Sequence, residues 1–177
     1  FCCFNNNFKI GPREFDIWMR LLQQVNGSVL WLFSSSKAAE ENLRKQATLR
    51  KVDPRRVVFA QRKPHAEHLA RHRLADLFLD TFNYNAHTTG SDALWAGLPV
   101  VTKAGEGFAA RVEASLLRAI DLPELITTSE SEYERLALDL ALNPQRLLAL
   151  REKLAANRLS TPLFNTGLFA KHIENAY

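Results

Sequence analysis

Residues 77–102, LFLDTFNYNAHTTGSDALWAGLPVVT, carry the clearest structural pattern of the chain. A short apolar run, Leu77–Leu79, is followed by a polar loop, by a helical stretch from about Ser91, and by a second apolar run, Pro99–Thr102. Continuous apolar runs of this length are typical of strands buried on both faces, as in a parallel sheet. The segment therefore predicts two parallel strands joined by a helix, with a polar loop at the carboxyl end of the first strand.

The same alternation continues through the whole chain. Other apolar runs of strand length are Phe1–Phe4, Val29–Phe33, Val57–Ala60 and Leu125–Thr127. Helical periodicity separates them at 12–25, 37–50, 108–120 (with Val112, Leu116 and Ala119 inward), 129–141, 144–157 and 164–177. The pattern predicts one α/β domain over residues 1–177, a doubly wound, mostly parallel Rossmann-like sheet with helices on both faces. In such sheets ligands bind beyond the carboxyl ends of the strands.

Composition excludes several classes of protein. The 177 residues are 46% hydrophobic and 24% charged, which is the balance of a globular domain rather than a disordered or disulfide-scaffold chain. No apolar run approaches the ~20 residues of a membrane span. The net charge of +4 comes without a dense basic run or an aromatic platform, so neither a membrane nor a nucleic-acid partner is expected.

Cysteine usage and the ends of the chain give two further expectations. The only two cysteines, Cys2 and Cys3, are adjacent, which makes a disulfide between them unlikely and favours a reducing, cytoplasmic location. The chain starts at Phe1 inside an apolar segment, without a charged leader or an initiator methionine. We therefore expect a domain of a longer protein, without a signal peptide.

The loop before the helix near Ser91 is a candidate anion site. His87, Thr88 and Thr89 bring hydroxyl and amide groups to a helix N-terminus, where the helix dipole favours negative charge. Asp92 would then lie within reach of a sugar hydroxyl. The simpler interpretation is a threonine that only caps the helix, as in many helices. Its place at the carboxyl end of a strand favours a phosphate site.

Two other loops at the same edge of the predicted sheet carry candidate residues. Lys9 follows the first strand and could neutralise charge on a departing diphosphate, with Asn6 adding a hydrogen bond, although most lysines are simply solvated. His65, His68 and His72 share a helical face, but no cysteine or carboxylate completes a ligand set, so no metal site is predicted. Arg71 and some of these histidines are instead expected to face a nucleotide.

Three segments resemble one known family, in order along the chain. They are FCCFNNNFKIGPREFDIWMRLLQQVNGSVLWL at 1–32, LADLFLDTFNYNAHTTGSDALWAGLPVVT at 74–102 and RLSTPLFNT at 158–166. The sequence is similar to the C-terminal lobe of the O-linked N-acetylglucosamine (GlcNAc) transferases and their SPINDLY-like relatives. The resemblance implies an inverting, metal-independent glycosyltransferase of the GT-B type, with two Rossmann-like lobes and usually tetratricopeptide repeats upstream.

The resemblance also implies roles for individual residues. Lys9 matches the lysine that stabilises the departing diphosphate, and Asn6 stands where the animal enzymes have glutamine. The implied nucleotide-binding residues are Lys63, Pro64 and His65 at the base, His68, Leu69, Ala70 and Arg71 beside the uridine, His87, Thr88 and Thr89 at the diphosphate, and Asp92 near the ribose. His65 replaces a lysine of the family, which leaves the identity of the base open.

The implied function is the donor-binding half of a protein O-glycosyltransferase that moves GlcNAc from UDP-GlcNAc to serine or threonine. Its partners would be the nucleotide sugar and a protein acceptor, with no cofactor. Three alternatives remain: a GDP-fucose-dependent enzyme of the SPINDLY type, a nucleotide-sugar epimerase, and a binding module without chemistry. The amino-terminal lobe has no counterpart in the sequence, so the isolated chain is expected to be inactive.

Overall fold

A computed structural model describes all residues, 1–177. Six strands form one parallel sheet in the order β3-β2-β1-β4-β5-β6. The strands are β1 Cys2–Cys3, β2 Leu30–Phe33, β3 Val57–Ala60, β4 Phe78–Leu79, β5 Val100–Lys103 and β6 Ile126–Thr127. This confirms the predicted doubly wound class. The chain reverses direction across the sheet between β1 and β4, which makes their carboxyl ends the topological switch point.

Eight helices complete the fold, and β1, β2, β4 and β6 are shorter than the apolar runs that predicted them. The helices are α1 Pro12–Gln24, α2 Lys37–Leu49, α3 His65–Arg71, α4 Thr88–Trp95, α5 Val112–Ala119, α6 Glu130–Leu142, α7 Pro144–Asn157 and α8 Thr166–Glu174. None has the length and apolar character needed to cross a membrane. Helix α4 begins three residues before the predicted start at Ser91, so it includes Thr88 and Thr89.

Local sequence signals explain where two of the longer helices begin. Gly11 precedes Pro12 at the start of α1, and its amide donates to the Glu14 carboxylate at 2.8 Å. Ser129 and Glu132 form a capping box at the start of α6, in which each side chain receives a hydrogen bond from the other residue's amide. Both arrangements satisfy amides that have no partner within the helix.

A chain of buried hydrogen bonds connects helices α1 and α6 to the carboxyl end of β4. The Trp18 indole donates to the Tyr133 hydroxyl at 3.1 Å, and that hydroxyl donates to the Asp80 carbonyl at 3.0 Å. All three residues are fully buried. Because Asp80 follows β4 directly, these bonds fix helices α1 and α6 against the strand end that carries the candidate site.

Helix α5 differs from its sequence prediction. Val112, Leu116 and Ala119 are only partly buried. The fully covered positions are instead Glu113, Ala114 and Leu117. The buried face of α5 therefore differs from the predicted one, and it includes a glutamate, Glu113.

Candidate nucleotide-binding site

The carboxyl ends of the central strands open onto a cavity of about 840 Å³. Its walls come from the segments after β1 and β3, from the last residue of β2 and from the first turn of α4. The lining residues are Phe4, Asn6, Phe33, Arg62, Lys63, Pro64, His65, His68, Arg71 and Thr89. The structure thus brings together seven of the residues singled out from the sequence, which are Asn6, Lys63, Pro64, His65, His68, Arg71 and Thr89.

The wall formed by α3 and the segment before it is basic. Arg71 is buried, donates to the Gln61 carbonyl at 2.8 Å and lies 5.7 Å from the Phe4 ring. Burial lowers the pKa of His68, and it lowers the pKa of His72 to about 4. Both imidazoles are therefore neutral at pH 7, so the positive charge of this wall comes from the arginine and lysine side chains.

His72 lies beneath this wall, in the interior rather than on the surface. It is fully buried, donates through Nδ1 to the His68 carbonyl at 2.8 Å, and packs edge-on against Phe4 with ring centroids 5.0 Å apart. The same phenylalanine packs against His68 at 5.6 Å. These contacts fix the orientation of the His68 ring toward the cavity.

Asp92 faces the same wall from the second turn of α4. Its Oδ1 lies 3.2 Å from His65 Nε2, and its Oδ2 lies 3.9 Å from His68 Nε2. The carboxylate side chain is only 17% exposed, whereas that of His65 is 69% exposed. A shielded carboxylate at the rim of a basic cavity is suited to accept hydrogen bonds from sugar hydroxyls.

The first turn of α4 offers unpaired amides. The Gly90 and Ser91 amides donate to the His87 carbonyl at 3.1 and 3.0 Å, whereas those of Thr88 and Thr89 have no acceptor in the protein. The Thr89 hydroxyl donates to the Asn5 carboxamide oxygen, which commits its proton inside the protein. An anion at this helix end would therefore be bound by backbone amides and the exposed Thr88 hydroxyl.

A buried polar network that the sequence analysis missed supports this turn. The Asp80 carboxylate accepts hydrogen bonds from the Ala86 amide at 2.6 Å, Thr102 Oγ1 at 2.7 Å, the Thr81 amide at 2.8 Å and Asn5 Nδ2 at 3.2 Å. Burial raises the pKa of Asp80 to about 6, against the effect of these donors. The only sequence signal was the position of Asp80 directly after a predicted strand.

Lys9 and His87 lie beside the cavity rather than in its wall, on two sides of Tyr84. Lys9 Nζ donates to the Asn85 carbonyl at 2.9 Å and sits 3.8 Å from the centroid of the Tyr84 ring. The His87 ring is 4.9 Å from the Tyr84 ring. Burial lowers the pKa of Lys9, and the charge of Asp80 opposes that shift.

Two of the residues implied by the family resemblance lie elsewhere. Leu69 and Ala70 line a separate cavity of about 470 Å³ on the outer face of α3, together with Trp95 and Arg158. They share a helix with His68 and Arg71 but project from its other side. The described residues contain no cluster of three or more His, Cys, Asp or Glu side chains that could hold a metal ion.

Glu113 is buried directly behind the first turn of α4. It is fully covered, neither carboxyl oxygen has a hydrogen-bond partner, and a Cβ added to Gly90 would lie 1.7 Å from its Oε2. Burial raises the pKa of Glu113 well above its ordinary value of 4.5, and the nearby Asp80 carboxylate raises it further. Of this pair, Asp80 therefore ionises first as pH rises, and Glu113 holds its proton to higher pH.

This arrangement predicts a pH-dependent stability. Because the folded protein holds the Glu113 proton more tightly than the unfolded chain, the free energy of unfolding should fall as pH rises from about 4.5 toward the raised pKa. The raised pKa of Asp80 contributes to the same decrease in the free energy of unfolding between pH 3.8 and about pH 6. In urea unfolding from about pH 5 to about pH 8, Glu113→Gln should show a smaller decrease than the unmodified chain.

Glu106→Gln is the matched control, because Glu106 is exposed. Its unfolding free energy should follow the unmodified chain at every pH. An equal decrease for Glu113→Gln and the unmodified chain would show that Glu113 is not the buried acid that the structure describes.

Comparisons with known proteins agree along the whole chain. It is 41% identical over 178 residues to the probable UDP-N-acetylglucosamine–peptide N-acetylglucosaminyltransferase SEC of Arabidopsis thaliana, covering 100% of the chain and 18% of that protein. It is 39% identical to the corresponding transferase of Caenorhabditis elegans, covering 99% of the chain and 15% of the relative. It is 34% identical to the probable transferase SPINDLY of rice, covering 100% of the chain and 20% of that protein. The chain thus spans about a fifth of these relatives or less.

The fold also matches a solved structure. A mutant O-GlcNAc transferase of Thermobaculum terrenum superposes with a TM-score of 0.94 at 33% identity, covering 100% of the chain and 35% of that protein. This confirms the predicted fold class, a lobe of a GT-B glycosyltransferase. The sequence model of glycosyl transferase family 41 matches residues 1–173. The resemblance inferred from the sequence is therefore confirmed, and the chain belongs to glycosyl transferase family 41.

Proposed function

We propose that the chain is the donor-nucleotide-binding half of an inverting, metal-independent protein O-glycosyltransferase. Its most favoured donor is UDP-GlcNAc, and its acceptors are serine or threonine residues of proteins. The observation that carries the proposal is the cavity at the switch point between β1 and β4. Its walls combine a basic face and a helix end with two unpaired amides, and a shielded carboxylate lies at its rim.

The binding roles follow from the positions of these groups. The diphosphate would lie at the first turn of α4, where the Thr88 and Thr89 amides and the helix dipole favour an anion. Asp92 would accept hydrogen bonds from the ribose hydroxyls. The base would lie along residues 63–68, near His68 and the buried Arg71. Leu69 and Ala70 have no direct contact in this arrangement, because they line the other cavity.

The transfer step requires stabilisation of a leaving group. A serine or threonine oxygen attacks the anomeric carbon, the bond between that carbon and the diphosphate oxygen breaks, and the diphosphate leaves with the electron pair. Lys9 and the α4 amides would stabilise the negative charge that develops on that oxygen. The proposal needs no metal or other cofactor. The group that accepts the hydroxyl proton and most of the contacts to the acceptor would come from the amino-terminal lobe.

One observation favours a second donor. His65, which lines the cavity, stands where the resemblance places a lysine. A GDP-fucose-dependent transferase of the SPINDLY type is therefore the alternative. Membership of family 41 argues against the epimerase. The location we propose is the cytoplasm, in keeping with two buried, unpaired cysteines.

A donor assay on the complete protein tests the proposal. The protein is incubated with a peptide library and either UDP-GlcNAc or GDP-fucose, with EDTA present, and glycopeptide and free sugar are measured by mass spectrometry. We expect glycopeptide from UDP-GlcNAc at a rate that EDTA does not change. Glycopeptide from GDP-fucose alone would establish the alternative donor. Free sugar without glycopeptide, or no turnover of either donor, would contradict transferase activity.

A further inference from the structure

The partners of Lys9 at the edge of the site are all uncharged. Its ammonium group contacts the Asn85 carbonyl at 2.9 Å and the face of the Tyr84 ring at 3.8 Å, and it forms no ion pair with an acidic side chain. A carboxylate in their place would neutralise the lysine before any substrate arrived. A carbonyl and an aromatic face hold a cation in place and leave its charge available. Only one of its three N–H bonds has a hydrogen-bond acceptor in the protein, which is the Asn85 carbonyl.

The Tyr84 backbone is held independently of its ring. The Tyr84 carbonyl accepts a hydrogen bond from the Thr81 hydroxyl at 2.6 Å, and Thr81 is itself fixed by Asn5 and by the Asp80 carboxylate. The neighbouring Asn85 amide donates to the Ala109 carbonyl at 2.8 Å. Tyr84, by contrast, is 39% exposed, and apart from Lys9 its ring packs edge to face against Phe8 and at a tilt against His87. The loop therefore does not depend on the ring for its conformation.

We propose that Tyr84 is a positioning residue for Lys9, whose ring face holds the ammonium group where the departing diphosphate takes up negative charge. This inference rests on the proposed function, because it presumes the role of Lys9 in leaving-group stabilisation. Tyr84 acts through the lysine and takes no part in bond making. Without the ring, the four-carbon lysine chain would sample other rotamers, and the carbonyl of Asn85 alone would hold it.

Kinetics of the complete protein with the active donor test this inference. Replacing the ring in Tyr84→Leu should lower kcat roughly three- to thirty-fold, the range that a cation–π contact supplies, with KM changed far less. Tyr84→Phe keeps the ring face and should retain kcat within about twofold. Phe108→Leu is the matched control: its ring is 83% exposed and near His87 but contacts no lysine, so kcat should not change.

A double-mutant cycle separates positioning from general damage. In a Lys9→Ala background, Tyr84→Leu should cause no further loss of kcat, because the group that the ring positions is absent. Equal losses in both backgrounds would overturn the inference, and so would a Tyr84→Phe variant as slow as Tyr84→Leu. An unchanged kcat for Lys9→Ala would instead overturn the role of Lys9 in the proposed function, and the role of Tyr84 with it. Melting temperatures of all variants identify any that are misfolded.

Discussion

Replacing Lys9 with alanine is expected to lower kcat of the complete protein roughly 100- to 1,000-fold while weakening UDP binding far less. The ammonium group donates to the Asn85 carbonyl in the loop between β4 and α4, which leads into the proposed anion-binding turn, and its partners leave it charged. A cation in this position interacts most strongly with the charge that develops as the diphosphate departs. Steady-state kinetics and calorimetric binding of UDP measure the two effects separately.

Lys103→Ala is a suitable control for the Lys9 variant. Lys103 also ends a strand at this edge of the sheet, but its Nζ lies 5.1 Å from the centroid of the Phe82 ring, and it does not line the cavity. Removing it takes the same charge from the same edge, and kcat should stay within about threefold. If Lys9→Ala lowered kcat and UDP affinity by the same factor, Lys9 would not act mainly on the departing diphosphate.

The second large effect is expected from Gly90→Ala. In an ordinary helix, alanine in place of glycine stabilises by up to about 1 kcal/mol. Here the new Cβ would lie 1.7 Å from Glu113 Oε2, and because Glu113 is fully buried, any shift of its side chain must be accommodated inside the core. Overpacking of this kind costs about 1–3 kcal/mol or more, so the clash outweighs the helix propensity. We expect lower stability in urea unfolding and weaker UDP binding, because the displaced turn carries the free amides.

Removing the side chain that causes the clash should reverse the sign of this effect. In a Glu113→Ala background, Gly90→Ala should become neutral or stabilising, since the nearest remaining atom is Ala86 Cβ at 3.2 Å. Gly107→Ala is the control, because nothing lies within 4 Å of its added Cβ. A Gly90→Ala substitution that is equally destabilising in both backgrounds would rule out Glu113 as the cause.

The fold class could be predicted because strands buried on both faces appear as continuous apolar runs. The run at 57–60 coincides with β3, and the run at 99–102 is displaced by one residue from β5 at 100–103. The start of α4 was placed too late because Gly90 weakens a helix by about 1 kcal/mol in propensity terms. Contact with Glu113 requires glycine at that position inside the helix, and propensity carries no information on such a contact.

The residues that line the cavity were easier to predict than those that support them. His68, Arg71 and Thr89 follow strand ends and line the cavity as expected from the sequence. Asn5 and Asp80 were missed because a buried hydrogen-bonded network has no periodic signature. Its members follow strands that are far apart in the sequence, and the sequence alone does not show that these strands are adjacent in the sheet.

Calorimetric titration of the complete protein with UDP and with GDP, each with and without EDTA, tests the central claim most directly. We predict that UDP binds more tightly than GDP and that EDTA leaves both affinities unchanged, since in the proposed arrangement backbone amides, arginine and lysine would supply the contacts to the anion. Tighter binding of GDP would contradict the assignment of UDP-GlcNAc as the donor. Binding of neither nucleotide would contradict the claim that the cavity between β1 and β4 is a nucleotide site.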